Sequence, residues 1–343
     1  MSIKSHSTSS NSTKRFIKAT TTGSGLTAFQ EAAVSLYANI VQYQFLMVGG
    51  GGSVYQLDGY TGGGGAGSFI QGNIILQKNV STNVVIGAGA ASSPGPTGRV
   101  ADRGNESWLK QNDFAIIALG GGRSGVPAAV ETRGAPFNFT GHPGGSGGGS
   151  NGTPLNPGSL AGGIGLVGGF PGGISAGPSP GIGGGGGGGG GATQAGQNAS
   201  VPQSRGGKGG DGANVSWVPT NYGVPGWGPG RWFAGGGAGG SAASVPATTT
   251  RQQGGSGGGG FGGTSSPAFG TETGASGNVN TGGGGGGRAG TAGADVAVTG
   301  GSGVVIFSVP LTATWTNATG ANVETTATAN IIGFRTSGQI TFT

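Results

Sequence analysis

The sequence predicts an irregular, mostly β fold, in which packed polyglycine II helices form the body and short β-strands close it. Two observations carry this prediction. Glycine fills 89 of the 343 positions, and it occurs in bare runs such as 49–52, 183–191 and 282–287. The few β-branched runs, among them Phe45–Val48 and Val304–Phe307, stand directly beside glycine runs.

Glycine brings no side chain to a core and loses more backbone freedom on folding than other residues. Such a chain either stays disordered or brings its backbones so close together that only hydrogen fits between them, and we predict the second. No Gly-X-Y register runs through the sequence, which excludes collagen. Polyglycine II rises about 3.1 Å per residue, and its peptide groups must bond sideways to neighbouring helices. The run 183–191 would then form a rod of roughly 28 Å.

Composition divides the chain into three regions. Residues 1–44 are predicted to be an N-terminal attachment module. Apolar residues from Leu26 to Ile40 have helical spacing and predict a helix over about 27–42. The alternative is that this region packs under the rods. Residues 45–309 are the glycine-rich polyglycine II body. Residues 310–343, rich in Thr and Asn, are predicted to be a C-terminal β-hairpin extension.

Two hairpins are predicted from alternating apolar residues and turn signals. The first runs from Phe69 to Ile86, with its turn inside the polar segment Gln77–Asn83. The second joins Asn330–Phe334 to Gln339–Phe342 through a turn at 336–338. Its apolar chain end favours a docked rather than a free terminus.

Charge and residue usage exclude several classes of function. The 16 Lys and Arg residues exceed the 10 Asp and Glu residues, which gives a net charge of +6, but they form no dense stripe, so no nucleic-acid partner is predicted. The basic excess favours anionic surfaces such as phosphorylated glycans. Absence of cysteine excludes disulfides and thiolate metal sites, and no apolar run is long enough for membrane insertion. The start has no apolar core of a secretory signal.

Catalysis is not predicted. The carboxylates and the two histidines are spread over the whole chain, and none of them stands at a spacing typical of an acid–base pair or a metal site. We therefore expect a protein that is not an enzyme and needs no cofactor.

Both ends of the glycine-rich body resemble the glycine-rich domain of bacteriophage tail and fibre proteins. Phe45–Gly52, Gly62–Gly67 and Val84–Gly89 match one end, and 280–287 with 300–306 match the closing signature. Some relatives of this architecture are tip adhesins, in which polyglycine II rods form a sandwich and loops at one end contact the host. The resemblance implies a similar fold and implies that the segments between rods matter most for host contact. Residues 1–44 and 310–343 fall outside it.

An aromatic cluster is the main candidate for receptor contact. Prolines and glycines interrupt it and would stiffen it, so exposed rings could stack on sugars at low entropic cost. The alternative is that these rings shield the rods, which have no side chains of their own. Weaker candidates are Gly98–Lys110, with Arg99, Arg103 and Trp108, and Pro136–His142. The receptor-binding candidates are Trp217, Tyr222, Trp227, Arg231, Trp232 and Phe233.

The resemblance implies a phage virion protein at the virion surface, a tail-fibre or spike adhesin. Expected partners are other virion proteins (a fibre shaft, tail or capsid) and a host surface glycan or outer-membrane protein, with a homotrimer as one candidate assembly. One alternative is a capsid fibre or decoration protein with a purely structural role. Another is a cellular glycine-rich surface or ice-binding protein, although ice binding would require more regular Thr or Ala spacing.

Overall fold

The computed structural model describes residues 39–55, 60–95, 98–125, 140–152, 160–176, 184–200, 205–241, 251–266, 270–289 and 297–343. The chain divides into a first unit, Met1–Ile40, and a second, Val41–Thr343. The described residues belong almost entirely to the second unit. The predicted N-terminal module lies outside them as far as residue 38.

The glycine runs form rods that bond sideways to three neighbours in turn, as polyglycine II requires. In the rod 184–191, every third amide donates to the same neighbouring rod, which matches a helix of three residues per turn. The amides of Gly186 and Gly189 donate to the carbonyl oxygens of Gly240 and Gly237, respectively. In the same way, Gly187 and Gly190 donate to Ser150 and Gly147, and Gly188 and Gly191 donate to Gln197 and Gln194. The predicted polyglycine II body is therefore confirmed.

Close approach of the backbones is the reason for glycine at these positions. A Cβ atom built on Gly187 would overlap the carbonyl oxygen of Gly173, and one on Gly189 would overlap that of Gly64. Any side chain would push two rods apart and break their lateral hydrogen bonds. Each such bond contributes about 0.5–1.5 kcal/mol, so the lattice depends on many small terms rather than on an apolar core.

Fourteen strands are formed by the described residues. They are β1 Ile40–Val48, β2 Phe69–Gln77, β3 Ser81–Val85, β4 Ser93–Gly95, β5 Gly98–Val100, β6 Ser107–Gln111, β7 Phe114–Ala118, β8 Ala213–Val215, β9 Arg231–Phe233, β10 Thr264–Ser266, β11 Gly270–Glu272, β12 Val304–Val309, β13 Trp315–Thr325 and β14 Asn330–Phe342. The described residues contain no α-helix.

An eight-stranded sheet, here called the crown, closes one end of the rods. Its order is β2-β1-β12-β14-β3-β6-β7, and β13 pairs with β14. Strands β1 and β12 run directly into and out of glycine rods, as the β-branched runs beside glycine predicted. Every strand on this path contributes to one buried core, which includes Phe45, Phe307, Phe334 and Phe342. Full burial of each such ring stabilises the fold by about 1.5–3 kcal/mol.

Three predicted details differ from the structure. Ile40, Val41 and Gln42 belong to β1, so the predicted helix cannot extend to residue 42; its residues 27–38 lie outside the described part. Strands β2 and β3 form where the first hairpin was predicted, but they are not neighbours. Strand β2 pairs with β1 and β3 pairs with β14, and in this arrangement Ile74 of β2 and Val84 of β3 both join the one buried core of the crown.

The predicted terminal hairpin is also wrong in its pairing. Residues 330–342 form the single strand β14, and its hairpin partner is β13. Asn330 pairs with Val309 and Thr341 pairs with Ser81, and both of these partners lie at strand ends remote from the rods. The middle of β14 lies nearest the rods, so the predicted turn at 336–338 coincides with a bend rather than a chain reversal into a hairpin.

The rods alternate in direction and therefore have two distinct ends. Gly49 and Gly52 donate to Ser68 and Gly65, an antiparallel register that recurs between successive rods. At the crown end, strands or short turns join the rods. The opposite end, here called the loop end, is marked by residues such as Tyr55, Gly125, Gly152, Ser200 and Ser241.

Candidate functional site

The predicted aromatic cluster lies in an insertion between two rods, 205–212 and 234–241, at the crown end. Strands β8 and β9 pair at its base, with Ala213 opposite Phe233. Trp232 and Val224 exchange two backbone hydrogen bonds of 2.9 and 3.1 Å, which fold the insertion back on itself. The turn signals Pro219, Pro225 and Pro229 lie between these pairings.

Most of this insertion covers the outer face of the crown. Tyr222 and Phe233 are buried, with exposed fractions of 2% and 0%, and they share an apolar core with Leu46, Ile306 and Ile331. Trp217 packs against the same core and is partly buried. These rings cover apolar strand residues that glycine rods cannot shield, which was the alternative to receptor contact.

Trp232 is held inside the insertion. A Cβ on Gly226 would overlap its indole ring, so the two residues are in close contact. The indole N–H groups of Trp217 and Trp232 are buried without an acceptor among the described residues. The insertion therefore buries these rings by packing rather than by hydrogen bonding.

Two arginines fasten the insertion. The Arg231 Nε donates to the Tyr222 carbonyl oxygen at 2.6 Å, and its Nη2 donates to that of Gly223 at 2.9 Å. The Arg335 guanidinium lies 4.8 Å from the centre of the Tyr222 ring and donates to the Asn221 carbonyl oxygen at 2.5 Å. Burial raises the pKa of the Tyr222 hydroxyl, and the positive charge of Arg335 opposes that rise.

Trp227 is different, because 77% of its surface is exposed. Gly228 and Gly230 have φ values of 80° and 106°, which glycine adopts without strain, and Pro225 and Pro229 restrict the backbone on either side. Of the six candidates, Trp227 can meet a partner directly. Tyr222 and Phe233 cannot do so without unpacking the crown, and Arg231 is engaged with the backbone.

At the loop end, polar side chains join the rods. Asn151 accepts the amide of Gly62 at 2.7 Å and donates to the Gly125 carbonyl oxygen at 2.6 Å. The Ser124 hydroxyl accepts the amide of Tyr55 at 2.8 Å. Ser and Asn side chains thus accept backbone amides at the rod ends and join neighbouring rods there.

The sequence also predicted two weaker sites. Arg103 and Trp108 line a shallow, polar surface pocket of about 420 Å³ together with Asn105 and Glu106. His142 is buried, and its pKa is lowered to about 4 by burial and by the nearby charges of Arg123 and Arg103. Phe137 and Phe139 lie outside the described residues.

Comparison with known proteins identifies the body. A family of glycine-rich domains matches residues 27–310. The chain belongs to this family. No curated protein and no solved structure matches it.

The glycine-rich domain, as matched, includes β1 and the residues directly before it and ends just after β12. Strands β13 and β14 follow the matched region, yet both belong to the crown. The C-terminal strands therefore complete the fold of a domain whose family match ends before them.

Within the described residues, no helix has the length and hydropathy needed to cross a membrane. No three His, Asp or Glu side chains in the described part of the chain come together in a way that could hold a metal ion.

Proposed function

We propose that this chain is a phage virion protein, a tail-fibre or spike adhesin, whose loop end faces the host surface. The observation that carries the proposal is the difference between the two ends of the rods. At the crown end, crown strands, tight turns and the folded insertion 213–233 connect neighbouring rods. At the loop end, β4–β5 and β10–β11 form short hairpins, whereas other rods stop at capped positions such as Gly125 and Ser241, which the longer segments 126–139 and 242–250 follow in the sequence.

The hydrogen bonding between the rods supports separate roles for the rods, as a scaffold, and for the connecting segments, as a binding surface. Their lateral bonds join backbone atoms, so the lattice places no demand on the sequence of the connecting segments. Segments carried on a rigid scaffold can change without loss of the fold, which is a common arrangement for binding surfaces. An adhesin that must follow changes in a host receptor needs this property.

We propose attachment through the crown end. Strand β1 begins at Ile40 at the edge of the crown remote from the rods, and the C-terminal Phe342 is fully buried in the crown core. A fibre shaft, tail or capsid protein bound there would leave the loop end free. Host contact and attachment would then lie at opposite ends of the rods.

A surface glycan or an outer-membrane protein is the host partner that we propose. Arg123 and Arg205, both partly buried, lie in the last turns of rods at the loop end, and Arg288 lies there too but is buried. A basic bias suits phosphorylated glycans. A binding role needs neither catalysis nor a cofactor.

One observation favours the structural alternative, a capsid fibre or decoration protein. The exposed Trp227 lies on the insertion beside the crown, far along the rods from the loop end. A rigid tryptophan is a typical anchor in a protein–protein contact, and this one could bind a neighbouring virion subunit.

The test compares two variants of the purified protein. In one, residues 126–139 are replaced by a Gly-Ser linker of the same length; in the other, Trp227 is replaced by Ala. For an adhesin, we expect the linker variant to lose adsorption to host cells, while Trp227→Ala retains it. Equal melting temperatures would show that both variants are folded. Absence of adsorption by the unchanged protein, with normal incorporation into particles, would favour the structural role.

A further inference from the structure

We propose that a charge-free apolar patch on the side of the rods joins two copies of this chain. The patch, here called the side patch, consists of Ile164, Leu166, Val167, Phe170 and Ile174. Their exposed fractions are 69%, 44%, 75%, 43% and 39%. An exposed cluster of large apolar side chains marks an interaction site in a soluble protein.

Adjacent rods and the turn between them carry these side chains. Ile164 lies in the rod 160–165, and Leu166 and Val167 lie in the turn that directly follows it. Phe170 and Ile174 belong to the next rod, which is bonded to the first through the Gly172 amide and the Gly163 carbonyl oxygen at 2.9 Å. A Cβ on Gly165 would touch the backbone of Phe170, so the two rods are in direct contact.

The turn within the patch is firmly held. The Ser68 hydroxyl donates to the Val167 carbonyl oxygen at 2.5 Å, and the Phe69 amide donates to that of Gly168 at 3.1 Å. The Leu166 amide donates to the carbonyl oxygens of both Gly144 and Gly145, at 2.9 and 3.0 Å. Because the backbone is already ordered, little conformational entropy would be lost on association.

The absence of charged residues around the side patch favours a second copy of the chain as its partner. No Lys, Arg, Asp or Glu occurs between residues 134 and 204, although the chain carries a net charge of +6. The rods that bond to the side patch, 140–152, 184–191 and 194–199, belong to this same uncharged stretch. His142, within it, is neutral at pH 7 because its pKa is about 4.

A second copy fits this surface better than a different protein does. Two cationic copies repel each other through most of their surfaces, and here they can meet without that repulsion. A different partner is usually selected by charges around an apolar centre, and neither the side patch nor the rods bonded to it carry a Lys, Arg, Asp or Glu residue. A patch that meets itself across a two-fold axis needs only matching apolar shape.

Sedimentation velocity and light scattering over a range of concentrations test the inference. We expect the unchanged protein to approach twice the mass of the 32.5 kDa chain. A Val167→Asp/Ile174→Asp variant should remain monomeric, with self-association weakened at least about tenfold. The matched control is Val279→Asp, since Val279 is 70% exposed but lies on a different turn; it should still form dimers.

Equal melting temperatures of the variants will show that the fold is retained. If the double variant is unstable, Ile164→Ser/Val167→Ser changes the same patch without adding charge and should also weaken the dimer. The inference is overturned if the unchanged protein is monomeric at every concentration. It is also overturned if folded patch variants associate as strongly as the unchanged protein does.

Discussion

The ring of Tyr222 fills the space that a side chain at Gly333 would need. A Cβ on Gly333 would overlap the Tyr222 ring, whose hydroxyl donates to the Asn322 carbonyl oxygen at 3.4 Å. Tyr222 belongs to the insertion between two glycine rods, and Gly333 lies in the C-terminal strand β14. The pair therefore locks the insertion onto the crown, together with the Arg335 guanidinium on the same ring.

A double-mutant cycle tests this lock. Gly333→Ala should reduce the free energy of unfolding by about 1–3 kcal/mol, because the added methyl group meets a packed ring. Tyr222→Ala should reduce it by about 3–5 kcal/mol through the cavity that it leaves. In the double variant the methyl group has room, so the combined loss should be smaller than the sum. Losses that add within about 0.5 kcal/mol, measured by urea unfolding, would contradict the contact.

Glycine in the rods is expected to be far less replaceable than glycine in the crown. Gly187→Ala should prevent or strongly reduce soluble folding, because its Cβ overlaps the Gly173 carbonyl oxygen. The matched control is Gly72→Ala, where the nearest atom is the Phe45 ring at 4.0 Å. Expression of folded protein and its melting temperature give the comparison. Similar tolerance at both positions would argue against the rod lattice.

The glycine body could be predicted from the sequence because its cause is local. Where two rods touch, a Cβ atom on most of their glycines would overlap the neighbouring backbone. A glycine run such as 184–191 therefore predicts a rod by itself. Strand positions followed in the same way from short β-branched runs. Pairing in the crown could not be predicted, because β2 and β3 are adjacent in sequence yet have different partners. Long-range burial decides such pairings, and a single sequence does not reveal it.

The aromatic cluster shows a similar limit at the candidate site. The sequence located six neighbouring candidates, but it could not separate the rings that cover the crown from the one that is exposed. Burial of Tyr222 depends on Gly333, which is more than one hundred positions away. The loop end was anticipated only as segments between rods, because the direction of each rod follows from hydrogen-bond register rather than from composition.

Trp227 and Trp232 should respond differently to truncation. Trp227→Ala removes an exposed ring, so the free energy of unfolding should change by less than about 0.5 kcal/mol. Trp232→Ala removes a ring packed on Gly226 and should cost about 3 kcal/mol or more. Thermal unfolding followed by circular dichroism compares the two variants. A large loss at Trp227 would mean that this ring is packed rather than available to a partner.

His142 should make the stability of the body depend on pH in a defined window. Its folded pKa is lowered to about 4, chiefly by burial and then by the charges of Arg123 and Arg103. The unfolded chain takes up this proton near pH 6.5, so its contribution is fully present above that pH and is lost as the pH falls through 4. The loss should be on the order of 2 kcal/mol, at about 1.4 kcal/mol per pKa unit with some solvent screening. Carboxylates titrate in the same range, so the measurement is the difference between the unchanged protein and His142→Gln in melting temperature from pH 7 to pH 4. The variant should lose less stability over this interval; parallel curves would mean that His142 titrates alike in the folded and unfolded chain.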